Sequence, residues 1–247
     1  MRKAIGYCLV FLILVSCAAM NYDKMAEQDL FQRAQSYFDH SKYVRSQEAF
    51  EAFLQRYPFS QNVATAEIRV ADCMFYRRNY EEARATYEEF RKRHPLHSEI
   101  SHSLLFEAKC YYEQRLSYDQ DQENLNEAQA RLLELIERYP ASPAAREAQG
   151  ILKEVRNQLC RREIYVGKFY LKQKERYSAA VRFEQAAKQY EDAECYPEVL
   201  FYAAKTWLEL GETSRAKTFI SVLLSDFADT EWAKKAGTLT NVKGEKQ

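Results

Sequence analysis

The histidines of HPLHSEISH, His94, His97 and His102, are near enough in sequence to raise zinc, for which imidazole nitrogens are common ligands. Register argues for another role. His94 falls at a position taken elsewhere in the chain by Tyr57, Tyr139, Tyr190 and Phe227, which is a packing position. The acids Asp119, Asp121 and Glu123 of RLSYDQDQEN offer the oxygens calcium prefers, but they lack the central glycine and closing glutamate of an EF-hand loop. A solvated acidic loop is expected there. The chain has no Gly-rich phosphate loop, no G-x-S-x-G, no H-E-x-x-H and no C-x-x-C. No catalytic residue, metal site or cofactor is expected. An envelope enzyme would need a polar catalytic pair in a cleft, and the sequence offers none.

Cysteine is the other reactive type. Cys73 and Cys110 hold the same place in two repeats, 37 residues apart. Equivalent places on stacked helices lie about 10 Å apart, beyond the ~7 Å Cα separation a disulfide spans. Unpaired interior thiols are expected at both, and the redox state of Cys73, Cys110, Cys160 and Cys195 stays open. Cys17 stands in LILVSCAAMN, after Arg2, Lys3 and an apolar run from about residue 5 to residue 15. That run is shorter than the ~20 residues of a membrane-spanning helix. Leu14-Val15-Ser16-Cys17 resembles the bacterial lipoprotein signal, which implies cleavage before Cys17 and acylation of its thiol and new α-amine. A retained anchor, or an ordinary signal with an incidental cysteine, are the alternatives. Two or three acyl chains, at roughly 0.8 kcal/mol per buried methylene, would hold the chain on a membrane.

The bulk composition suits helices. Of 247 residues, 47% are hydrophobic and 29% charged, with only 6 Gly and 5 Pro, and with 18 Tyr and 14 Phe. Lys plus Arg and Asp plus Glu balance at 36 each, so no basic excess points to nucleic acid.

These residues are positioned by a repeat. One helix carries small–x2–aromatic at Ala34/Tyr37, Ala71/Met74, Ala108/Tyr111, Gly167/Tyr170 and Ala204/Trp207. The next carries a small residue, two large ones and an aromatic: Ser46/Phe50/Phe53/Tyr57, Ala83/Tyr87/Phe90/His94, Ala128/Leu132/Leu135/Tyr139, Ala179/Phe183/Ala186/Tyr190 and Ala216/Ile220/Leu223/Phe227. Apolar places at i, i+3, i+4 and i+7 make one helical face. A small residue on each helix lets antiparallel partners approach closely. Pro58, Pro95 and Pro140 end three of the second helices, and Ser60 and Ser142 are expected N-caps, with Pro143 at a first helical position. Each pair leaves an apolar side open, so pairs stack.

The pattern resembles the tetratricopeptide repeat over roughly residues 28–236. It implies an all-α fold of five tetratricopeptide-like helix pairs in a right-handed solenoid. Two departures stand out. Ala108 to Ala128 is 20 residues where the other repeats have 12, and nothing interrupts residues 143–174, which predicts an extended first helix in repeat four of about 32 residues, or ~48 Å. Gly150 and Gly167 are expected to weaken it locally, by about 1 kcal/mol each.

A lipoprotein signal, five such repeats, RYPFS after the first, an Asp-rich insertion in the third and a long helix opening the fourth together resemble the outer-membrane assembly lipoproteins called BamD or ComL. The resemblance implies a non-catalytic scaffold on the periplasmic face of the outer membrane, lipid-anchored, with unfolded outer-membrane β-barrel substrates and a BamA-type barrel insertase as partners. The organisation it suggests is a signal peptide at 1–16, a lipidated tether at 17–27, repeats one to three as a substrate groove at 28–140, repeats four and five as insertase docking at 141–236, and a polar tail at 237–247. The tether from Cys17 to Glu27 spans at most about 35 Å and averages nearer 17 Å if flexible. In tetratricopeptide folds the place four residues after the first small residue, here Phe38, Phe75, Tyr112, Leu171 and Leu208, faces a groove for extended peptides. Gln35, Asp72, Tyr76, Lys109 and Glu113 are its expected neighbours; an ordinary core stripe is the alternative. Arg182 matches a family arginine near the insertase contact, against the plainer role of a solvated helix arginine. Lipoproteins of the same repeat that serve pilus secretin assembly or envelope division share the anchor and repeats, but not the insertion together with the long helix.

Overall fold

The computed structural model describes residue 22 and residues 24–241, so Cys17 and the signal lie outside the described residues. The described residues form helices in antiparallel pairs. They are α1 (Glu27–Asp39) with α2 (Tyr43–Arg56), α3 (Val63–Tyr76) with α4 (Tyr80–Arg93), α5 (Ile100–Glu113) with α6 (Glu123–Arg138), α7 (Pro143–Lys172) with α8 (Arg176–Gln189), and α9 (Tyr196–Glu209) with α10 (Thr213–Asp226); α11 (Glu231–Asn241) follows. Each helix packs on the next, and α3, α5, α7 and α9 also touch in series, so the first helices of the pairs line one side of the stack.

The small residues hold the pairs together. Ala34, Ala71, Ala108 and Ala204 on the first helices, and Ser46, Ala83, Ala128, Ala179 and Ala216 on the second, are fully buried. Gly167 is buried too, and a Cβ there would meet the Phe183 ring of α8 at 2.4 Å. The glycine expected to weaken the long helix is therefore what allows α8 to seat against it. Ser46 keeps a polar atom in this tight space by donating from its hydroxyl to the Ala34 carbonyl at 3.0 Å.

Two corner types recur. Within pairs, the Ser41 and Lys42 amides donate to the Phe38 and Tyr37 carbonyls, a bonding pattern repeated by Arg78/Asn79, Lys174/Glu175 and Gly211/Glu212. The corner residue takes positive φ in all four copies: 56° at Ser41, 66° at Arg78, 65° at Lys174 and 86° at Gly211. Only the last is the residue that adopts this region freely. Between pairs, a four-residue turn closes on an amide-to-carbonyl bond from Ser60 to Tyr57, His97 to His94, Ser142 to Tyr139, Ala193 to Tyr190 and Thr230 to Phe227.

Helix starts divide the two serine expectations. Ser142 caps α7 by accepting from the Ala145 amide at 3.0 Å, with Pro143 at the first helical position. Ser60 caps nothing, because α3 starts later, at Val63 after Asn62. Its hydroxyl instead accepts from the Asn62 amide and donates to Glu27 at 2.6 Å. The long helix has 30 residues, about 45 Å. At the far end, α11 runs into what polarity marked as tail. Its Ala233 and Ala236 are buried and Trp232 packs on Phe201 and Tyr202, so it covers the last open face. The Thr230 hydroxyl caps it by accepting from the Ala233 amide.

Candidate functional site

Three buried carboxylates build the frame of repeats two and three. Asp72 is 1% exposed. It accepts from the Tyr87 hydroxyl at 2.7 Å, from His102 Nε2 at 2.7 Å and from Arg69 at 2.5 Å. Burial opposes its charge, yet the hydrogen bonds of His102 and Tyr87 and the charges of His102 and Arg69 outweigh that and hold its pKa below the ordinary value. The same burial, with Asp72 beside it, pushes the Tyr87 phenol well up. Glu67 is met by Arg93 and by His94 Nε2, the latter at 2.6 Å. Glu107 is met by Arg91 and by Arg131 at 3.0 Å, and Arg91 reaches Ser103 as well. His94 and His102 thus bond to different carboxylates, while His97 meets the Phe90 ring, which His94 shares. Among the described residues no cluster of His, Cys, Asp or Glu could hold a metal ion.

An aromatic ladder runs beside this frame across the first three helix pairs. Tyr76 stacks on Tyr43 at 4.8 Å and meets Phe38 at 6.0 Å edge-on. Phe75 meets Tyr76, Tyr80 and Phe106, the last at 4.9 Å, and Phe106 stacks on His102 at 4.3 Å. Cations lie over its faces: Arg69 above Phe38 at 5.2 Å and Lys109 above Phe106 at 4.4 Å. The rungs come from α1, α2, α3, α4 and α5, so three repeats share one continuous aromatic surface. Tyr76, 44% exposed, opens it to solvent.

Repeat four is joined differently. Arg182 of α8 grips the Glu163 carboxylate of α7 from two nitrogens, with Nη2 to Oε1 at 3.0 Å. Burial pushes the Glu163 carboxyl above its ordinary value, and the arginine only partly offsets this. The repeat-three insertion lies on the same helix: Arg162 donates to the Tyr118 carbonyl at 3.2 Å and Tyr118 meets Tyr165 edge-on. Within the insertion, Asp121 accepts from the Glu123 amide at 2.6 Å, at the start of α6. Arg156 donates to both carboxylate oxygens of Asp192, and Asn157 accepts from the Glu194 amide at 2.8 Å. A disulfide joins Cys160 of α7 to Cys195 at the head of α9. Cys73 and Cys110 are buried free thiols, pushed by burial up to about 11 and about 12.

The family model described as an outer membrane lipoprotein, YfiO, matches residues 23–223. The chain belongs to the YfiO outer membrane lipoprotein family. Among similar curated proteins is the outer membrane protein assembly factor BamD of Caulobacter vibrioides, 24% identical over 90% of this chain and 73% of that one. That of Rickettsia prowazekii is 25% identical over 78% of this chain and 77% of its own. Of solved structures, the TPR2AB domain of yeast Sti1 in its pHSP90 complex superposes with a TM-score of 0.45 at 11% identity, covering 88% of this chain and 83% of that one. The family places the chain at the outer membrane, lipid-anchored and facing the periplasm. Among the described residues no helix is long and apolar enough to cross a membrane.

Within this YfiO chain the expected groove residues separate. Phe38, Phe75 and Tyr76 come together in the ladder. Lys109 lies over it while paired with Glu147 at 2.5 Å. Asp72 lies beneath it as a buried hydrogen-bond hub. Gln35 turns to Asp39 on its own helix, and Tyr112 meets Arg115. Sequence reasoning did not place Phe106 or Tyr43 in the groove, and it raised His102 only as a metal ligand. A signal existed for Phe106: it stands two residues before Ala108, where Arg69 stands before Ala71, and both of these residues reach the ladder. Tyr43 and His102 come from other registers, and no repeat pattern marks them.

Proposed function

We propose that this lipoprotein is a non-catalytic scaffold for β-barrel assembly at the outer membrane, receiving unfolded barrel chains on repeats one to three and holding a BamA-type insertase with repeats four and five. Cys17, outside the described residues, is its proposed lipid attachment site. The ladder of Phe38, Tyr76, Phe75 and Phe106 carries the substrate half of this reading. Its exposed rungs offer edges and faces that an aromatic side chain stacks against, and Arg69 and Lys109 stand over its rings, each paired with an acid, Asp72 and Glu147, that a peptide's terminal carboxylate has to share or displace. Main-chain specificity is unnecessary for such a surface, which suits a scaffold that must accept many barrels.

Arg182, 38% exposed and already held by Glu163, is the proposed centre of the insertase contact. Its partner fixes the guanidinium plane at the α7–α8 junction, so the remaining N–H groups point in a set direction.

The substrate test is a titration of a labelled barrel-derived peptide ending in an aromatic residue. Phe38→Ala with Tyr76→Ala removes two rungs, each burying apolar area of roughly 1.5–3 kcal/mol, so affinity should fall at least tenfold. An unchanged affinity in a variant that keeps its helical content would falsify the groove. The insertase contact is tested by co-purification from envelopes with Arg182→Gln, and undiminished recovery of the barrel partner would remove Arg182 from it.

A further inference from the structure

The five turns that lead from one helix pair to the next share one hydrogen-bond closure, yet their tips differ. The third residue of each turn is Phe59, Leu96, Ala141, Asp192 and Asp229 in chain order, and all five are exposed. Phe59 is 99% exposed and Leu96 98% exposed, more than any other large apolar side chain among the described residues. Both follow a proline that stiffens the turn. Turn chemistry does not call for a large apolar group here, since alanine and aspartate serve in the other copies.

The path of the N-terminus shows what lies opposite. Tyr22, Met25 and Glu27 are fastened to the first turn: Arg56 donates to the Tyr22 carbonyl, the Tyr57 hydroxyl to the Met25 carbonyl at 2.7 Å, and the Ser60 hydroxyl to Glu27. The chain therefore leaves the fold beside Phe59. Only four residues lie between Cys17 and Tyr22, five steps or at most about 18 Å of extended chain. Arg56 and Lys92 stand in the last turns before the two apolar tips, while the fourth and fifth turns present aspartate.

We infer that this edge of the solenoid lies on the membrane that holds the anchor, with Phe59 and Leu96 inserted into the lipid interface. The inference rests on the proposed acylation of Cys17. The two apolar tips enter the boundary between headgroups and acyl chains, about 5–10 Å deep, and Arg56 and Lys92 lie at the level of the phosphates. The fifth tip, Asp229, is repelled by an anionic surface, and the fourth, Asp192, is held by Arg156 and offers no apolar group, so contact is confined to the anchored end. The lipid chains and the tips then fix orientation together, which a flexible tether alone does not.

The test uses the full acylated protein in vesicles of phosphatidylethanolamine and phosphatidylglycerol. An environment-sensitive fluorophore is placed on Phe59→Cys, Leu96→Cys or, as the internal control, Asp229→Cys; the native thiols are acylated, bridged or buried. Flotation is read first, then quenching by lipids brominated along the acyl chain. The expected result is flotation of all three proteins, with blue-shifted emission and loss of about half the intensity at 59 and 96, and solvent-like emission at 229. Flotation with solvent-like emission at 59 and 96 overturns the membrane contact and leaves the anchor standing. Failure to float overturns the anchor, and the contact with it.

Discussion

The two ends of the solenoid solve one packing problem with different chemistry. In repeats two and three, buried carboxylates are surrounded by donors: Asp72, Glu67 and Glu107 each gather cationic or hydroxyl partners from neighbouring helices. In repeat four the interior contact is apolar and close, Gly167 against Phe183, and the charged pair Glu163–Arg182 sits at a half-buried junction where burial works against the carboxylate. A disulfide then ties α7 to α9. The frame under the aromatic ladder is thus polar and directional, which fixes ring positions. Repeat four is joined by sterics and a covalent link, which fixes helix positions and leaves its charges nearer the surface.

Removing the hub should break this contrast most visibly. Asp72→Ala strips three donors of their acceptor and is expected to cost about 3–5 kcal/mol. Because stacked repeats gain and lose stability locally, amide exchange should accelerate across α3–α5 while α8–α10 stay protected. Uniform acceleration would mean that the halves are not separable. Next in size is the disulfide. Cys160→Ser with Cys195→Ser, closing a loop of 35 residues in the native chain, should lose about 2–4 kcal/mol. Its thermal midpoint should be insensitive to reductant where that of the parent chain falls, with the loss seen in α7–α9.

Gly167→Ala is expected to cost about 1–3 kcal/mol in urea unfolding, because a methyl there overlaps the Phe183 ring. Gly150→Ala on the same helix has open space around it and should gain up to about 1 kcal/mol. Equal effects at the two glycines would remove the close-approach argument.

The smallest effect is with pH, and its sign differs between the halves. Asp72 has a lowered pKa in the fold, so its contribution is complete above the ordinary carboxylate value of about 3.9. It is lost as pH falls through the folded value. Glu163 has a raised pKa, so the folded state binds its proton more tightly, and stability from this group rises as pH falls from the folded value toward the ordinary one. Carboxyl titration by NMR in the folded protein should place the Glu163 midpoint above 4.5 and the Asp72 midpoint below 3.8, and the reverse order would contradict the account.

By itself the sequence determined the helix pairs, their order and the long seventh helix. Small residues at a fixed distance from large ones dictate where two helices can meet, and that rule is local. It also marked Phe38 and Phe75, each four residues after the small residue of its helix, and Tyr76 beside them. Position within the stack was decided only by tertiary structure. Asp72 shares the groove register but turns inward, because Tyr87 and His102, 15 and 30 residues further on, supply its hydrogen bonds there. Arg182 reads as a solvated helix arginine until Glu163 is brought beside it. Cys160 and Cys195 stand 35 residues apart, close to the 37-residue period, and pair because α7 and the head of α9 converge to a Cα separation of 6.5 Å, nearer than the ~10 Å of ordinary stacked helices. The last helix was hidden for a related reason. Its Ala233, Ala236 and Trp232 acquire an apolar face only when α9 and α10 stand against them, and polarity along the chain does not record a neighbour that folding has yet to supply.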